Sequence, residues 1–171
     1  TTLIPAVRSF RKKHFSGVPA KLWNDWQWQT SHRIRSLAQL ETMIALSEDE
    51  RAAFTQVNTV LPLGITPYYM SLISADDPNQ PLRRSVIPNI HETVSSLGEA
   101  HDPLGEEAMS PVPGLVHRYP DRVLLLLSDF CSTYCRYCTR SRVVGHGAIH
   151  PSRNRLERAF AYIEKTPAIR D

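Results

Sequence analysis

The sequence has few cysteines, few glycines and no long apolar run, and each shortage excludes a class of protein. It contains three cysteines and seven glycines among 171 residues, against thirteen prolines. An odd number of cysteines crowded into one short segment does not make a disulfide framework. No apolar stretch approaches the roughly 18–20 residues needed to cross a bilayer, and the first twenty residues lack the apolar centre of a signal peptide. We therefore expect a cytoplasmic protein with no membrane partner.

The charge is small overall but unevenly distributed. A formal net charge of +3 is too low to indicate a nucleic-acid partner. Between His117 and Phe160, however, eight arginines face only three acids. Arginine forms paired hydrogen bonds to carboxylates and phosphates, so this stretch indicates an anion site. The alternative for any one of these arginines is a solvated basic face.

The first hundred residues predict a helical region. With 42% hydrophobic residues the chain can bury a core, and its excess of proline over glycine favours short helices joined by stiff turns. Residues 31–45 have apolar side chains at helical spacing, and Ser47 with Glu50 forms a capping box for a helix reaching about Val57. Pro67 begins a third helix, Pro81 a fourth, and 90–97 a possible fifth. Three neighbouring tryptophans at 23, 26 and 28 are expected to pack in the core.

The rest of the chain predicts the beginning of an α/β domain. Residues 101–120 are rich in proline and glycine and predict a connecting loop. Residues 123–127 are uniformly apolar, which is typical of a strand buried on both faces of a parallel sheet. Ser152 then caps a helix with Leu156, Ala159, Phe160 and Ile163 on one side. Strand, loop and helix over 121–171 predict the first βα unit of a truncated TIM-type barrel, whose chemistry lies where the strand ends.

All three cysteines lie in that loop, at Cys131, Cys135 and Cys138. Structural zinc prefers four ligands in paired C-x2-C knuckles, although His146 or His150 could supply a fourth. Bacterial ferredoxins use a different spacing with a further Cys-Pro. Three thiolates without a fourth indicate a 4Fe–4S cluster with one iron open to an outside ligand. The bulk of Tyr137 is expected to shield that cluster.

Several motifs resemble one family, the lysine 2,3-aminomutases of the radical S-adenosylmethionine superfamily. The cysteine spacing, C-x3-C-x-aromatic-C, is the cluster motif of the superfamily. The family resemblance itself is carried by the stretches Trp23–Gln29, Ile65–Leu72, Asp102–Leu104, Ser110–Arg122 and Cys138–Arg142.

The resemblance implies a function and its cofactors. Cys131, Cys135 and Cys138 would each bind one iron, and S-adenosylmethionine would bind the fourth and be cleaved to a 5′-deoxyadenosyl radical. The radical would start the transfer of an amino group from C2 to C3 of an amino acid, most simply lysine, bound to pyridoxal 5′-phosphate. A homo-oligomer and an electron donor such as flavodoxin or ferredoxin are also implied.

The resemblance also implies roles for five further residues. Arg118, Tyr119 and Arg122 match positions near the pyridoxal phosphate group, with Tyr137 as a further cofactor residue. Arg140 matches the arginine that binds the substrate carboxylate. For Arg118 and Arg122 the alternative is a structural turn with pairing through Asp121, and for Arg140 a structural salt bridge. Tyr134 and Tyr137 could line the cofactor pocket or only pack, and His117 is expected to be a hydrogen-bonded loop residue.

Some features depart from the family pattern. Ser141 interrupts a run of arginines. The lysine that binds pyridoxal phosphate and the acids that read the substrate side chain are expected beyond Asp171, so no catalytic residue is assigned and the chain is expected to be an inactive fragment. Two alternatives stay open: a radical S-adenosylmethionine enzyme that modifies another protein, and a non-catalytic iron–sulfur electron carrier or binding module.

Overall fold

The computed structural model describes residues 5–55, 61–147, 149 and 152–171. Its contacts divide the chain into two compact units. Unit 1 comprises residues 1–96 and 132–138, and unit 2 comprises residues 97–131 and 139–171. The boundary between the units passes through the cysteine segment, with Cys131 in unit 2 and Cys135 and Cys138 in unit 1. The predicted domain boundaries at 100 and 120 stay predictions.

Unit 1 is helical, and its helices are short. A 3-10 helix at Ile90–Thr93 follows the last of its α-helices. The α-helices are Pro5–His14 (α1), Ala20–Trp23 (α2), Trp26–Ser31 (α3), Leu37–Glu41 (α4), Glu48–Thr55 (α5), Pro67–Met70 (α6) and Pro81–Arg84 (α7).

Side-chain caps and prolines explain where these helices begin. The predicted capping box is confirmed, because the Ser47 amide donates to Glu50 Oε2 at 2.8 Å and the Glu50 amide donates to Ser47 Oγ at 3.2 Å. Thr66 caps α6 with Pro67 at its first position, where a missing N–H costs nothing. Pro81 begins α7 in the same way. The predicted end of α5 near Val57 lies outside the described residues.

The predicted helix over 31–45 is wrong in extent. Within this range α3 ends at Ser31 and α4 covers Leu37–Glu41, because Ile34 pairs with Ile65 in an isolated antiparallel bridge and Ser36 caps the helix after it. Of the four apolar residues at helical spacing in this range, Leu37 is only partly buried against the core. Ile34, Leu40 and Ile44 are all buried in the core, although no continuous helix connects them.

One apolar cluster forms the core of unit 1. Its buried members come from α4, α6 and the segments around them: Ile34, Leu40, Ile44, Leu46, Ile65, Met70, Ile73, Val86 and Ile87. Trp23 is also buried, and Phe15 lies near both Trp23 and Trp28, but Trp26 is 67% exposed. The tryptophan prediction therefore holds for Trp23 and fails for Trp26. On α6, Met70 is buried and Tyr68 is exposed.

Unit 2 contains a two-stranded antiparallel sheet and a helix. Strand β1 spans Leu115–Tyr119, β2 spans Arg122–Leu125, and helix α8 spans Arg153–Glu164. The strands pair Leu115 with Leu125 and Tyr119 with Arg122, with an irregularity between Val116 and Tyr119. Ser152 caps α8 as predicted, by accepting from the Arg155 amide. Because β1 lies within 101–120, the end of the segment predicted to be a loop is a strand.

Strand β2 differs from its prediction in pairing and burial. It pairs antiparallel with β1, and its residues alternate between exposed and half-buried instead of being buried on both faces. An apolar run can be covered on both faces only when neighbouring elements supply the cover. Along α8, Ala159 is buried but Phe160 is 52% exposed. The fold is thus mixed helix with a small sheet, and the barrel unit stays a prediction. In the described part of the chain, no helix is long and apolar enough to cross a membrane.

Candidate functional site

The cysteine segment belongs to unit 1 from Ser132 to Cys138. Cys135 and Cys138 are half-buried, and a turn joins them, since the Cys138 amide donates to the Cys135 carbonyl at 3.2 Å. Neither thiol is in a disulfide. This segment therefore presents two thiols three residues apart on a hydrogen-bonded turn.

Residues between and before these cysteines are attached to the helical part of unit 1. The Tyr134 amide donates to the Gly64 carbonyl at 2.8 Å, and the Arg136 amide donates to the Ser85 carbonyl at 2.7 Å. These two bonds fix the backbone on both sides of Cys135. Tyr134 itself is buried, which favours packing for this residue.

Cys131, the third predicted iron ligand, ends the first stretch of unit 2. It is exposed and is not in a disulfide. Among the residues that the structure describes, no group of three or more His, Cys, Asp or Glu side chains is arranged to hold a metal ion. The donor set of three thiols fits a cluster chemically, and its role as iron ligands stays a prediction.

Unit 2 contains a cavity of about 330 Å³, within the usual range for small-molecule sites. Its wall includes four predicted site residues, three assigned to the phosphate of a cofactor and one to a substrate carboxylate: Arg118, Tyr119, Arg122 and Arg140. Glu106 supplies a carboxylate to the same wall, and the remaining lining is apolar: Leu104, Val116, Val123 and Leu124. Three guanidinium groups and one carboxylate thus share a cavity wall that is otherwise largely apolar.

The hairpin between β1 and β2 places three of these side chains. A two-residue turn at 120–121 sets Tyr119 opposite Arg122, whose guanidinium carbon lies 5.6 Å from the centre of the Tyr119 ring. Arg118 donates to the Leu104 carbonyl at 2.9 Å. Cross-strand pairing of this kind fixes side chains that are adjacent in space but not in sequence.

Arg122 also pairs with Asp121, as the structural alternative predicted. Its Nε lies 3.0 Å from Asp121 Oδ1. The hydrogen bond from Arg122 is the largest cause that lowers the pKa of Asp121, and the same contact raises the pKa of Arg122. Asp121 also accepts from Arg170 at 3.3 Å. Arg122 is therefore held at the cavity by its neighbour and keeps its charge.

Arg140 already binds a carboxylate of the chain. Its Nε lies 3.1 Å from both oxygens of Glu106, and its Nη2 lies 2.7 Å from Oε1. Glu106 is 5% exposed. The geometry is the paired contact expected between arginine and a carboxylate, here made within the protein. The structural salt bridge, the alternative for Arg140, is therefore present.

Arg142 joins the same acidic segment. Its side chain is 5% exposed and lies 3.0 Å from both Asp102 and Glu107 and 3.6 Å from Glu106. A hydrogen bond from the Glu107 amide is the largest cause that lowers the pKa of Asp102, with Arg142 contributing. Asp102, Glu106 and Glu107 thus form the anionic partner of the arginines that follow the cysteines.

The remaining two predicted residues, Tyr137 and His117, belong to different units. Tyr137 is 75% exposed and lines a cavity of about 630 Å³ in unit 1. His117 lies on β1 and shares a 2.7 Å hydrogen bond with the hydroxyl of Tyr162 on α8. Its predicted hydrogen-bonded role is confirmed, on a strand instead of a loop.

Sequence reasoning missed Glu106 and Gly64. The signal for Glu106 was indirect, because Asp102–Leu104 was singled out as a motif and an arginine-rich segment needs acidic partners. Gly64 carried no signal beyond its position before Ile65–Leu72, since only the fold reveals that Tyr134 lies against it.

Comparison with known proteins gives the class first. No family model matches the chain. It is 46% identical over 161 residues to an L-lysine 2,3-aminomutase of Fusobacterium nucleatum, covering 94% of this chain and 38% of that protein. The corresponding protein of Bacillus subtilis is 47% identical over 154 residues, 90% of this chain and 33% of the relative. A glutamate 2,3-aminomutase of Clostridioides difficile is 35% identical over 149 residues, which cover 87% of this chain and 35% of that protein.

These relatives are aminomutases, which are isomerases, and the chain is their relative over nearly its whole length. More particularly, it belongs to the lysine 2,3-aminomutase family, as its motifs predicted. The chain spans between 33% and 39% of the length of these lysine 2,3-aminomutases.

Proposed function

We propose that this chain contributes to a radical S-adenosylmethionine, pyridoxal phosphate-dependent aminomutase that moves an amino group from C2 to C3 of an α-amino acid. One observation carries the proposal. Residues assigned separately to a cofactor phosphate and to a substrate carboxylate line the same cavity in unit 2. The aminomutase names of the relatives support the same reaction class. Lysine is the proposed substrate, because the more similar relatives are named for it.

The cavity residues have distinct proposed roles. Arg118 and Arg122 would bind the phosphate dianion of pyridoxal phosphate, with the Tyr119 hydroxyl as a further donor. Arg140 would bind the α-carboxylate of the amino acid at the same cavity. The apolar side chains Val116 and Leu124 would exclude water from the cofactor ring, which strengthens each charge contact.

The cysteines have a separate role in the proposal. Cys131, Cys135 and Cys138 would bind three irons of a 4Fe–4S cluster. The cluster would supply the electron that cleaves S-adenosylmethionine, and pyridoxal phosphate would hold the migrating nitrogen. The chain's own residues bind and orient these groups. A first βα unit of a partial barrel is the proposed frame, with the cysteine loop after its strand.

The test uses the full-length natural protein, reconstituted without oxygen. We expect cluster absorbance, the absorbance of bound pyridoxal phosphate, and conversion of L-lysine to its 3-amino isomer when S-adenosylmethionine and a reductant are present. Arg140→Lys should raise the KM for lysine more than tenfold, because a lysine cannot make the paired contact.

The outcomes separate the alternatives. Cluster binding without pyridoxal phosphate would favour the protein-modifying relative. An EPR signal of the reduced cluster that does not change with S-adenosylmethionine would favour the electron carrier. Conversion of glutamate but not lysine would overturn only the proposal that lysine is the substrate.

A further inference from the structure

The stretch between Cys131 and Cys138 is held by unit 1 at three successive points. Thr133 Oγ1 lies 3.5 Å from the amide and the hydroxyl of Thr66. Next, Tyr134 is hydrogen-bonded through its amide to Gly64 and Arg136 through its amide to Ser85. Cys135 lies between the second and third of these points, so its backbone is fixed by residues far away in sequence.

The side chain of Arg136 strengthens the third point. It is 6% exposed and forms an ion pair with Glu92, with Nε 2.9 Å from Oε1. It also donates to the Leu61 carbonyl at 3.0 Å. Glu92 is itself held, because its Oε1 accepts from the Asn89 amide in the capping box of the 3-10 helix. Arg136 is next to Cys135 in sequence, but its guanidinium group forms an ion pair with Glu92.

The ring of Tyr134 strengthens the second point. Tyr134 is 9% exposed, and its ring lies 5.0 Å from the guanidinium carbon of Arg33. A Cβ added at Gly64 would lie 2.7 Å and 2.9 Å from two carbons of that ring. Real Cβ atoms do not approach carbon so closely, so any side chain at position 64 displaces the tyrosine.

We propose that Tyr134 and Arg136 are positioning residues that hold the backbone of Cys135 in the position needed to bind iron. Tyr134 does so by packing against Gly64, and Arg136 by its ion pair with Glu92. The proposal rests on the cluster site of the proposed function. A loop whose backbone is already ordered loses less conformational entropy when it binds a metal group, so it binds more tightly. Contacts that orient metal ligands typically contribute about tenfold or more to metal affinity.

The experiment measures iron binding and needs no turnover. The full-length protein and its variants are titrated with ferrous iron and sulfide without oxygen, and iron, sulfide and cluster absorbance are measured per chain. Glu92→Gln, Arg136→Gln and Gly64→Ala are each expected to lower the apparent affinity about tenfold. The controls are Gly17→Ala, where nothing lies within 4 Å of the added Cβ, and Glu157→Gln, which breaks an exposed ion pair with Arg153. Both should bind as wild type does.

The two charge variants separate positioning from a direct effect of charge on the thiols. A positioning role predicts that Glu92→Gln and Arg136→Gln change the affinity in the same direction. If Glu92→Gln binds iron more tightly while Arg136→Gln binds it more weakly, the positioning role is overturned. Wild-type binding by all three variants overturns it as well.

A second measurement does not depend on the cluster. Hydrogen exchange of the Tyr134 and Arg136 amides in the iron-free protein should be about tenfold faster in Glu92→Gln, because the ion pair that holds the Arg136 side chain no longer protects the loop. Unchanged exchange overturns the proposal even if Gly64→Ala fails to fold. A wild-type protein that takes up no cluster overturns the proposed function and this inference together. Equal loading of wild type and variants overturns the inference alone.

Discussion

At the scale of single residues, the charge of the cysteine region is balanced by acids from an earlier segment. Arg140 and Arg142 pair with Glu106 and Glu107, more than thirty positions before them. Glu106 is the most constrained of these acids, because it is buried and contacts both arginines. It therefore occupies Arg140 with a carboxylate of the protein in the same geometry that a substrate carboxylate needs.

Replacing Glu106 with glutamine should destabilise unit 2. The variant keeps the shape but removes the charge from buried hydrogen bonds, which costs about 1–3 kcal/mol of unfolding free energy. Glu107→Gln is the matched control, since the Glu107 side chain is 70% exposed and its pair with Arg142 should contribute less than about 1 kcal/mol. Urea denaturation of both variants checks the difference. Equal midpoints would show that Glu106 does not hold this network together.

At the scale of elements, short helices depend on their caps. A helix of eight residues such as α5 has few internal hydrogen bonds, so its first turn contributes a large share of its stability. Glu50 has two functions there. One of its oxygens accepts from the Ser47 amide, and both oxygens bind Arg83. The cap of α5 is thus connected directly to the core of unit 1.

Ser47→Ala should lower the free energy of unfolding by about 1 kcal/mol, because the Glu50 amide loses its acceptor. Thr55→Ala at the other end of α5 is the control, since the Thr55 hydroxyl donates to the Ala52 carbonyl in an exposed turn. Thermal and urea denaturation, with helix content followed by circular dichroism, measure the two effects. A larger loss in Thr55→Ala than in Ser47→Ala would contradict the role of the cap.

At the scale of the whole molecule, one buried ion pair connects distant parts of unit 1. Arg83 is fully buried and bonds to Glu50 at 2.8 Å and 2.6 Å. It also donates to the carbonyls of Ala45, Ser74 and Ala75. A single guanidinium thereby supplies donors to the backbone of two connecting segments and to the Glu50 side chain of α5.

Removing Arg83 alone should be severe. Arg83→Met leaves the buried Glu50 carboxylate without its charged partner and removes one donor from each of three carbonyls, and breaking a buried pair in this way costs about 3–5 kcal/mol. The double variant Arg83→Met, Glu50→Gln should recover part of that loss, because no charge is left unpaired. A double-mutant cycle measured by urea denaturation gives the coupling. Strictly additive effects would mean that the pair does not act as a unit.

Sequence alone determined the features that depend on local chemistry. The capping box at Ser47, the prolines that begin α6 and α7, and the cap of α8 follow from hydrogen bonding and ring geometry within a few residues. The core positions of residues 34, 40 and 44 followed from spacing, and family membership followed from motifs. The cysteines were recognised by their count and spacing.

Only the tertiary structure decided which distant groups meet. It shortened the helix predicted over 31–45, because Ile34 pairs with Ile65 across thirty positions of chain. It turned part of the expected loop into β1 and paired β2 antiparallel with it. It also brought Arg118, Tyr119, Arg122 and Arg140 to one cavity of unit 2 and gave Arg140 the carboxylate of Glu106. Strand pairing and charge pairing join residues that are far apart in sequence, so long loops of chain must close. No local sequence pattern determines which distant strand or charged residue becomes the partner.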